Sequence, residues 1–213
     1  MKQRTVGMAV SALALLLVTF PQFGLADDTT FDTNAPGGQG FFNGTGNVDG
    51  HFTVADSGSI AIGLRGADRF VGPITPAGND YTCTAADANG CNYEFSVASS
   101  SLADFTYLLS IQDLTSGKSV SYDPSGADDS YWDGAKTATK DFSKDTIFQN
   151  SEDLGFVFLG LNWNPADKVI VSLSASTTTP GLSGTTAEIG FNTAVPEPSA
   201  AILGIIFLGA VGR

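Results

Sequence analysis

Short runs in which apolar and polar residues alternate constrain this chain more than any other feature of its sequence. Apolar side chains take every second position in the segments 52–54, 60–64, 93–97, 105–111 and 169–175. Successive side chains of a β-strand point to opposite faces, so this pattern predicts half-buried strands with one apolar face each. Several such strands at short intervals are typical of an all-β protein.

The segments between these runs support the same fold class. They are rich in Gly, Pro, Asp, Ser and Thr, which form turns, and no internal window shows the apolar stripe of a helix. Segment 155–161 is apolar at both alternating sets of positions, which predicts a central strand covered on both faces. The sequence therefore predicts an all-β domain, an antiparallel β-sandwich or jelly-roll-like fold, flanked by two hydrophobic terminal helices.

The N-terminal segment has the order of a secretory signal peptide. Two basic residues precede an apolar stretch at 6–20. The small residues Gly24 and Ala26 follow at the positions before the cleavage site where signal peptidase requires small side chains. The interpretation is a signal peptide at 1–26, cleaved after Ala26, with Asp27 as the first residue of the mature protein. The alternative is an uncleaved membrane anchor, for which the apolar stretch is short.

The C-terminal segment carries a second sorting pattern. Pro196, Glu197 and Pro198 precede an apolar run at 200–211 and a final arginine. Proline fixes its own φ and disfavours helix in the residue before it, so the motif is expected to be extended and accessible. This arrangement resembles the PEP-CTERM sorting signal. The alternative is a buried C-terminal helix preceded by a proline-rich turn.

The resemblance implies a processing route. In the PEP-CTERM family, an exosortase-like membrane transpeptidase recognises the Pro-Glu-Pro motif in Gram-negative bacteria that make exopolysaccharide. The C-terminal helix would then contact the inner membrane transiently, and 195–213 would form the sorting signal behind an exported β domain at 27–194. Two features depart from the family pattern: the apolar run is short for a membrane span, and the basic cluster is reduced to Arg213.

The charge of the central region, residues 27–194, limits the kinds of partner that it can bind. It contains 21 of the 22 acidic residues but only seven of the ten basic ones. A domain this acidic would be repelled by phosphate backbones, so nucleic acid is excluded as an expected partner. The acidity fits a solubility role better than a specific site.

The two cysteines predict a disulfide. Cys83 and Cys91 are the only cysteines, and an exported protein folds where disulfides persist. The turn-forming pair Asn89 and Gly90 lies between them, so the bond is expected to close a hairpin. A zinc or redox role lacks the usual spacing and partner ligands.

No catalytic motif accompanies the ionisable residues. His51 is the only histidine, and no nucleophile elbow or metalloprotease helix surrounds it. Glu94 and Glu188 fall at polar positions of alternating strands, where solvent exposure is the expected state. The prediction is that the protein is not an enzyme.

One acidic loop could hold calcium. Its carboxylates offer the oxygen ligands that calcium prefers, but the spacing is not that of an EF-hand loop, so a solvated acidic loop is the main alternative. No other cofactor is expected. The candidate ligands are Asp123, Asp128, Asp129 and Asp133.

The same loop contains the candidate ligand-binding aromatics. Tyr131 and Trp132 could stack on sugar rings, whose CH-rich faces fit flat aromatic surfaces, whereas Trp163 is expected in the core. These observations support three hypotheses. The first is an exported non-enzymatic protein of the cell surface or extracellular matrix. The alternative is a carbohydrate-binding module for exopolysaccharide, assisted by calcium, and the third is a secreted hydrolase.

We expect the exported protein to begin at Asp27, because the small residues before it fit the signal-peptidase site. Mass spectrometry of the N-terminal peptide from the exported fraction measures this directly. A mature protein that still begins at Met1 would contradict the prediction.

Overall fold

The computed structural model describes residues 35–38, 40–42, 52–69, 71–83, 90–126 and 130–192. These residues form twelve strands and three short 3-10 helices. The strands are β1 (Thr53–Asp56), β2 (Ala61–Asp68), β3 (Gly72–Pro73), β4 (Asp80–Tyr81), β5 (Cys91–Ala98), β6 (Thr106–Asp113), β7 (Ser119–Tyr122), β8 (Ser130–Trp132), β9 (Lys136–Thr137), β10 (Ile147–Asp153), β11 (Val169–Ser176) and β12 (Thr185–Phe191). The 3-10 helices are η1 (Pro36–Gly38), η2 (Leu102–Asp104) and η3 (Val157–Leu159).

Two sheets make up the sandwich. Sheet A has the order β1-β2-β5-β10-β8-β9, with β3 paired to β2, and sheet B has the order β4-β12-β11-β6-β7. All pairs are antiparallel except β4 with β12, which are parallel, so sheet B is mixed. The predicted β-sandwich is confirmed, while the two predicted terminal helices lie outside the described residues. No helix in the described part of the chain is long and apolar enough to cross a membrane.

The core lies between the sheets and follows the alternation of the sequence. In sheet B, Val171 on β11 stands in register between Ile111 on β6 and Ile189 on β12, and all three are buried. Burying each such side chain contributes about 1.5–3 kcal/mol. The periodicity of segments 105–111 and 169–175 therefore predicted the faces of these strands correctly.

Two sequence predictions about strands are wrong. Segment 155–161 contains the 3-10 helix η3, with Phe158 62% exposed and Gly160 at a φ of 65°, so it is not a doubly covered strand. In β1, Val54 is 48% exposed, because the inward positions of this edge strand are Thr53 and Ala55. A short apolar run does not by itself specify strand over another conformation.

Sheet A differs from the expected half-buried sheet because its outer face is also covered on β2 and β5. On β2 and β5, the register partners Arg65 and Glu94 are both fully buried, with Nε of Arg65 2.5 Å from Oε2 of Glu94. The guanidinium carbon of Arg65 lies 4.7 Å from the ring centre of Phe41 and 4.4 Å from that of Phe52. The expectation that Glu94 faces solvent is therefore wrong, because residues that precede sheet A in the sequence cover this part of its outer face.

The N-terminal strap, which we define as residues 35–38 and 40–42, is also fixed to this outer face by hydrogen bonds. The N–H of Phe42 donates to Oε1 of Gln149 on β10 at 2.8 Å, and Nε2 of Gln149 donates to Oγ of Ser96 on β5 at 2.8 Å. A Cβ at Gly63 would lie 2.8 Å from Cδ of Pro36, so the close approach of the strap requires glycine there.

The disulfide between Cys83 and Cys91 is present, with the two Cα atoms 6.1 Å apart. It does not close a hairpin, because β4 pairs with β12 in sheet B whereas β5 lies in sheet A. The bond therefore joins the two sheets. A closed loop of this length contributes about 2–3 kcal/mol by restricting the unfolded chain. The N–H of Cys83 also donates to Oδ1 of Asn192, just after β12.

We expect the change Glu94→Gln to lower the free energy of unfolding by about 3–5 kcal/mol, because it removes the negative charge 2.5 Å from the buried guanidinium of Arg65. Urea denaturation of the purified protein measures the loss. The matched control is Glu188→Gln on the exposed face of β12, which should change stability by less than about 0.5 kcal/mol. Equal effects of the two changes would show that the ion pair has no special role.

Candidate functional site

The aromatic pair predicted to bind ligand lies on β8, next to β10 in sheet A. Adjacent strand residues face opposite ways, so Tyr131 and Trp132 have different surroundings. Tyr131 is fully buried, its ring centre is 6.1 Å from that of Phe142, and its hydroxyl donates to the carbonyl of Gly126. A sugar ring has no access to it, and the proposed stacking role of Tyr131 is therefore wrong.

Trp132 faces the outer side of sheet A and is only partly buried. Its ring centre lies 5.7 Å from that of Phe42 in the strap, and it packs against a small apolar cluster with Ala98 and Ile147. The strap and the sheet thus fix the indole from two elements. Of the two predicted stacking residues, only Trp132 is partly exposed.

A groove with a volume of about 430 Å³ runs beside Trp132. It crosses one end of sheet A, where the β1–β2 turn, the end of β5 and the start of β10 meet. Its polar lining residues include Asp56, Ser99, Ser100 and Thr146. This volume is typical of a site for a small ligand or a ligand segment.

The predicted calcium ligands are only partly described. Asp128 and Asp129 lie outside the described residues. Oδ1 of Asp123 accepts hydrogen bonds from N and Oγ of Ser125 at 2.9 and 2.7 Å, and Oδ1 of Asp133 accepts one from N of Ala135. Each carboxylate therefore shapes its own turn, and calcium binding stays a prediction.

Among the described residues, one group brings three metal-ligating side chains together: Asp68, Cys83 and Cys91. Asp68 is the register partner of Cys91 on β2, which the sequence spacing could not indicate. Both sulfurs are joined in the disulfide, so they do not offer the thiolates that zinc requires.

A polar cluster that sequence reasoning missed bridges the two sheets. The hydroxyls of Tyr93 on β5 and Tyr122 on β7 lie 2.7 Å apart, and each is 2.5 Å from Oε2 of Glu152 on β10. Burial raises the pKa of Tyr93 well above its usual value, and the neighbouring Glu152 and Tyr122 raise it further. Tyr93 is therefore a neutral hydroxyl that stabilises the contact between the sheets.

The buried carboxylates on the β5–β10 side of sheet A have internal partners. Glu94 contacts Arg65 and also accepts a hydrogen bond from Oγ of Ser151 at 3.0 Å. Asp153 is 2.8 Å from Nη1 of Arg69. Such groups are held in place by structural contacts. His51 lies outside the described residues, and Glu188 is exposed as predicted.

The carboxylate of Asp145, just before β10, is in an environment that is unfavourable for a negative charge. It is only 3% exposed; Oδ2 accepts the N–H of Asp141 at 2.5 Å, and Oδ1 has no hydrogen-bond partner among the described residues. Burial raises the pKa of Asp145, and the negative charges of Asp133 and Asp141 add to that effect.

No protein-family model, curated protein or solved structure matches this chain.

We expect the free energy of unfolding of the Asp145→Asn variant, minus that of the unchanged protein, to increase as the pH rises from about 3 to about 7. The folded protein holds the Asp145 proton more tightly than the unfolded chain, so the unchanged protein loses stability as the pH rises through the raised pKa. Asparagine has no such proton. Urea denaturation at both pH values measures the difference, with Asp104→Asn at an exposed position of η2 as control. A difference that is flat or falls with pH would refute this account.

Proposed function

We propose that this chain is an exported, non-enzymatic protein of the cell envelope or extracellular matrix of a Gram-negative bacterium, processed at both termini. The observation that carries the proposal is the Cys83–Cys91 disulfide, which joins the two sheets of the sandwich. A structural disulfide is typical of proteins that fold in an oxidising compartment, as the signal-peptide pattern of residues 1–26 also indicates.

The non-enzymatic part of the proposal is supported by the contacts of three acids of sheet A, Glu94, Glu152 and Asp153. Glycoside hydrolysis needs two carboxyl groups facing a common substrate, one of them with a raised pKa. Glu94 and Asp153 instead contact Arg65 and Arg69, and Glu152 accepts two tyrosine hydroxyls. These contacts favour a structural role for all three.

The processing part of the proposal rests on the termini. Signal peptidase would cleave between Ala26 and Asp27, and an exosortase-like enzyme would recognise the motif at 196–198 after the apolar tail enters the inner membrane. The two hydrophobic terminal helices belong to this proposal, as does the finer description of the sandwich as jelly-roll-like.

A second candidate function, carbohydrate binding, is favoured by one observation. The partly buried Trp132 borders a groove of about 430 Å³ with hydroxyl and carboxylate groups in its lining. Aromatic rings beside hydrogen-bonding groups suit sugars.

We expect replacement of Pro196, Glu197 and Pro198 by alanine to block C-terminal maturation without changing the melting temperature of the β domain. An extended proline-flanked segment is accessible to a protease and adds little to a folded core. Immunoblots of membrane and extracellular fractions should show an accumulated membrane precursor. Deletion of 200–213 should release the domain in soluble form. A loss of several kcal/mol in the triple variant would mean that the motif is part of the fold.

A further inference from the structure

The groove beside Trp132 is built from parts of the chain that are far apart in sequence. The β1–β2 turn provides Asp56 and Ser59, the end of β5 provides Ser99 and Ser100, and β8 provides Trp132. Five neighbouring strands of sheet A (β1, β2, β5, β10 and β8) therefore begin or end around one opening. The strap borders the same opening through Gly37.

We propose that this groove binds a segment of an uncharged glycan chain, with one sugar ring against the indole of Trp132. The inference rests on the proposed function, since an envelope or matrix protein meets polysaccharide where it is delivered. It deepens the second candidate function by naming the class of glycan and the placement of one sugar ring.

The first argument is the support of the aromatic ring. The ring of Trp132 lies 5.7 Å from that of Phe42 and packs against the cluster that Phe42 forms with Ala98 and Ile147, whose members come from three separate elements. A ring held in this way loses little conformational entropy when a ligand binds. A supported, partly exposed indole is suited to stacking on the CH-rich face of a pyranose.

The second argument is the polar lining. Oδ1 of Asp56 accepts the N–H of Gly58 at 2.7 Å, and Ser99 donates through Oγ to the carbonyl of Ser59 at 2.8 Å. These bonds hold the carboxylate and the hydroxyl in place while each oxygen keeps further acceptor capacity. Ser100 is exposed at the opening. Sugar hydroxyls both donate and accept hydrogen bonds, so they match these groups.

The third argument is charge, which selects among glycans. The chain has a net charge of −12, and Asp56 adds a negative group to the groove. The described residues of the lining include no lysine or arginine. A uronate-rich or sulfated polymer would be repelled here, whereas an uncharged polymer is not.

The experiment uses the mature exported protein with its disulfide intact. Affinity gel electrophoresis in dextran, mannan, xyloglucan and alginate measures binding to three uncharged polymers and one polyanion. We expect retardation by at least one uncharged polymer and none by alginate. Trp163 is only 3% exposed, so a shift in tryptophan fluorescence on binding reports Trp132.

The variants test the site itself. Trp132→Ala should weaken binding roughly tenfold or more, as expected for a central aromatic contact. Phe158→Ala is the matched control, because it removes another exposed aromatic ring, on η3, and should leave binding unchanged. Ser100→Gln tests the site independently if Trp132→Ala does not fold. The longer side chain at this exposed position narrows the opening of the groove, so we expect it to abolish binding.

Three results would overturn the inference: no binding to any of the uncharged polymers, tighter binding to alginate, or equal losses in the Trp132 and Phe158 variants. Cell fractionation tests the proposed function separately. A processed envelope protein that binds no polymer would leave that function standing without this site. Glycan binding by a protein that is never exported would support the site and contradict the proposed function.

Discussion

The buried ion pair between Arg65 and Glu94 is the interaction on which the outer layer of sheet A depends. Removing two charges from water is costly unless each has a partner and its hydrogen-bonding groups are satisfied. Here the strap and Phe52 exclude water, Ser151 adds a hydrogen bond to Glu94, and aromatic rings lie against the guanidinium. The pair therefore requires the strap, and Phe42 of the strap in turn packs against Trp132 at the groove.

The inter-sheet core could be predicted from the sequence because its signal is local. In segments 105–111 and 169–175 every second residue is apolar, and each of those positions is buried. The outer face of sheet A gave the opposite signal. Glu94 and Ser96 are polar, so the pattern indicated solvent, and only the tertiary placement of the strap shows that both are covered. An alternating sequence shows which face of a strand is polar. That face is exposed to solvent only when no other segment of the chain covers it.

The connections and the site show the same limit. The Asn89–Gly90 pair suggested a hairpin, but the strands next to it belong to different sheets, and strand partners are set by long-range pairing. Trp132 could be identified from its residue type, whereas Asp56 and Ser99 carry no distinguishing motif. They join the site only because β1 pairs with β2 and β2 pairs with β5 in sheet A. The Tyr93–Tyr122–Glu152 cluster likewise depends on the packing of one sheet against the other.

The position of the disulfide bears on how the domain would carry mechanical load. Asn192, directly after β12, bonds to the backbone of Cys83, and its Nδ2 donates to the carbonyl of Pro165 at 2.7 Å. A pull on the end of β12 is opposed by its pairing with β11 over seven residues and by the hydrogen bonds of Asn192. Because one of these hydrogen bonds reaches Cys83, and the disulfide links Cys83 to β5, part of such a load is passed to sheet A.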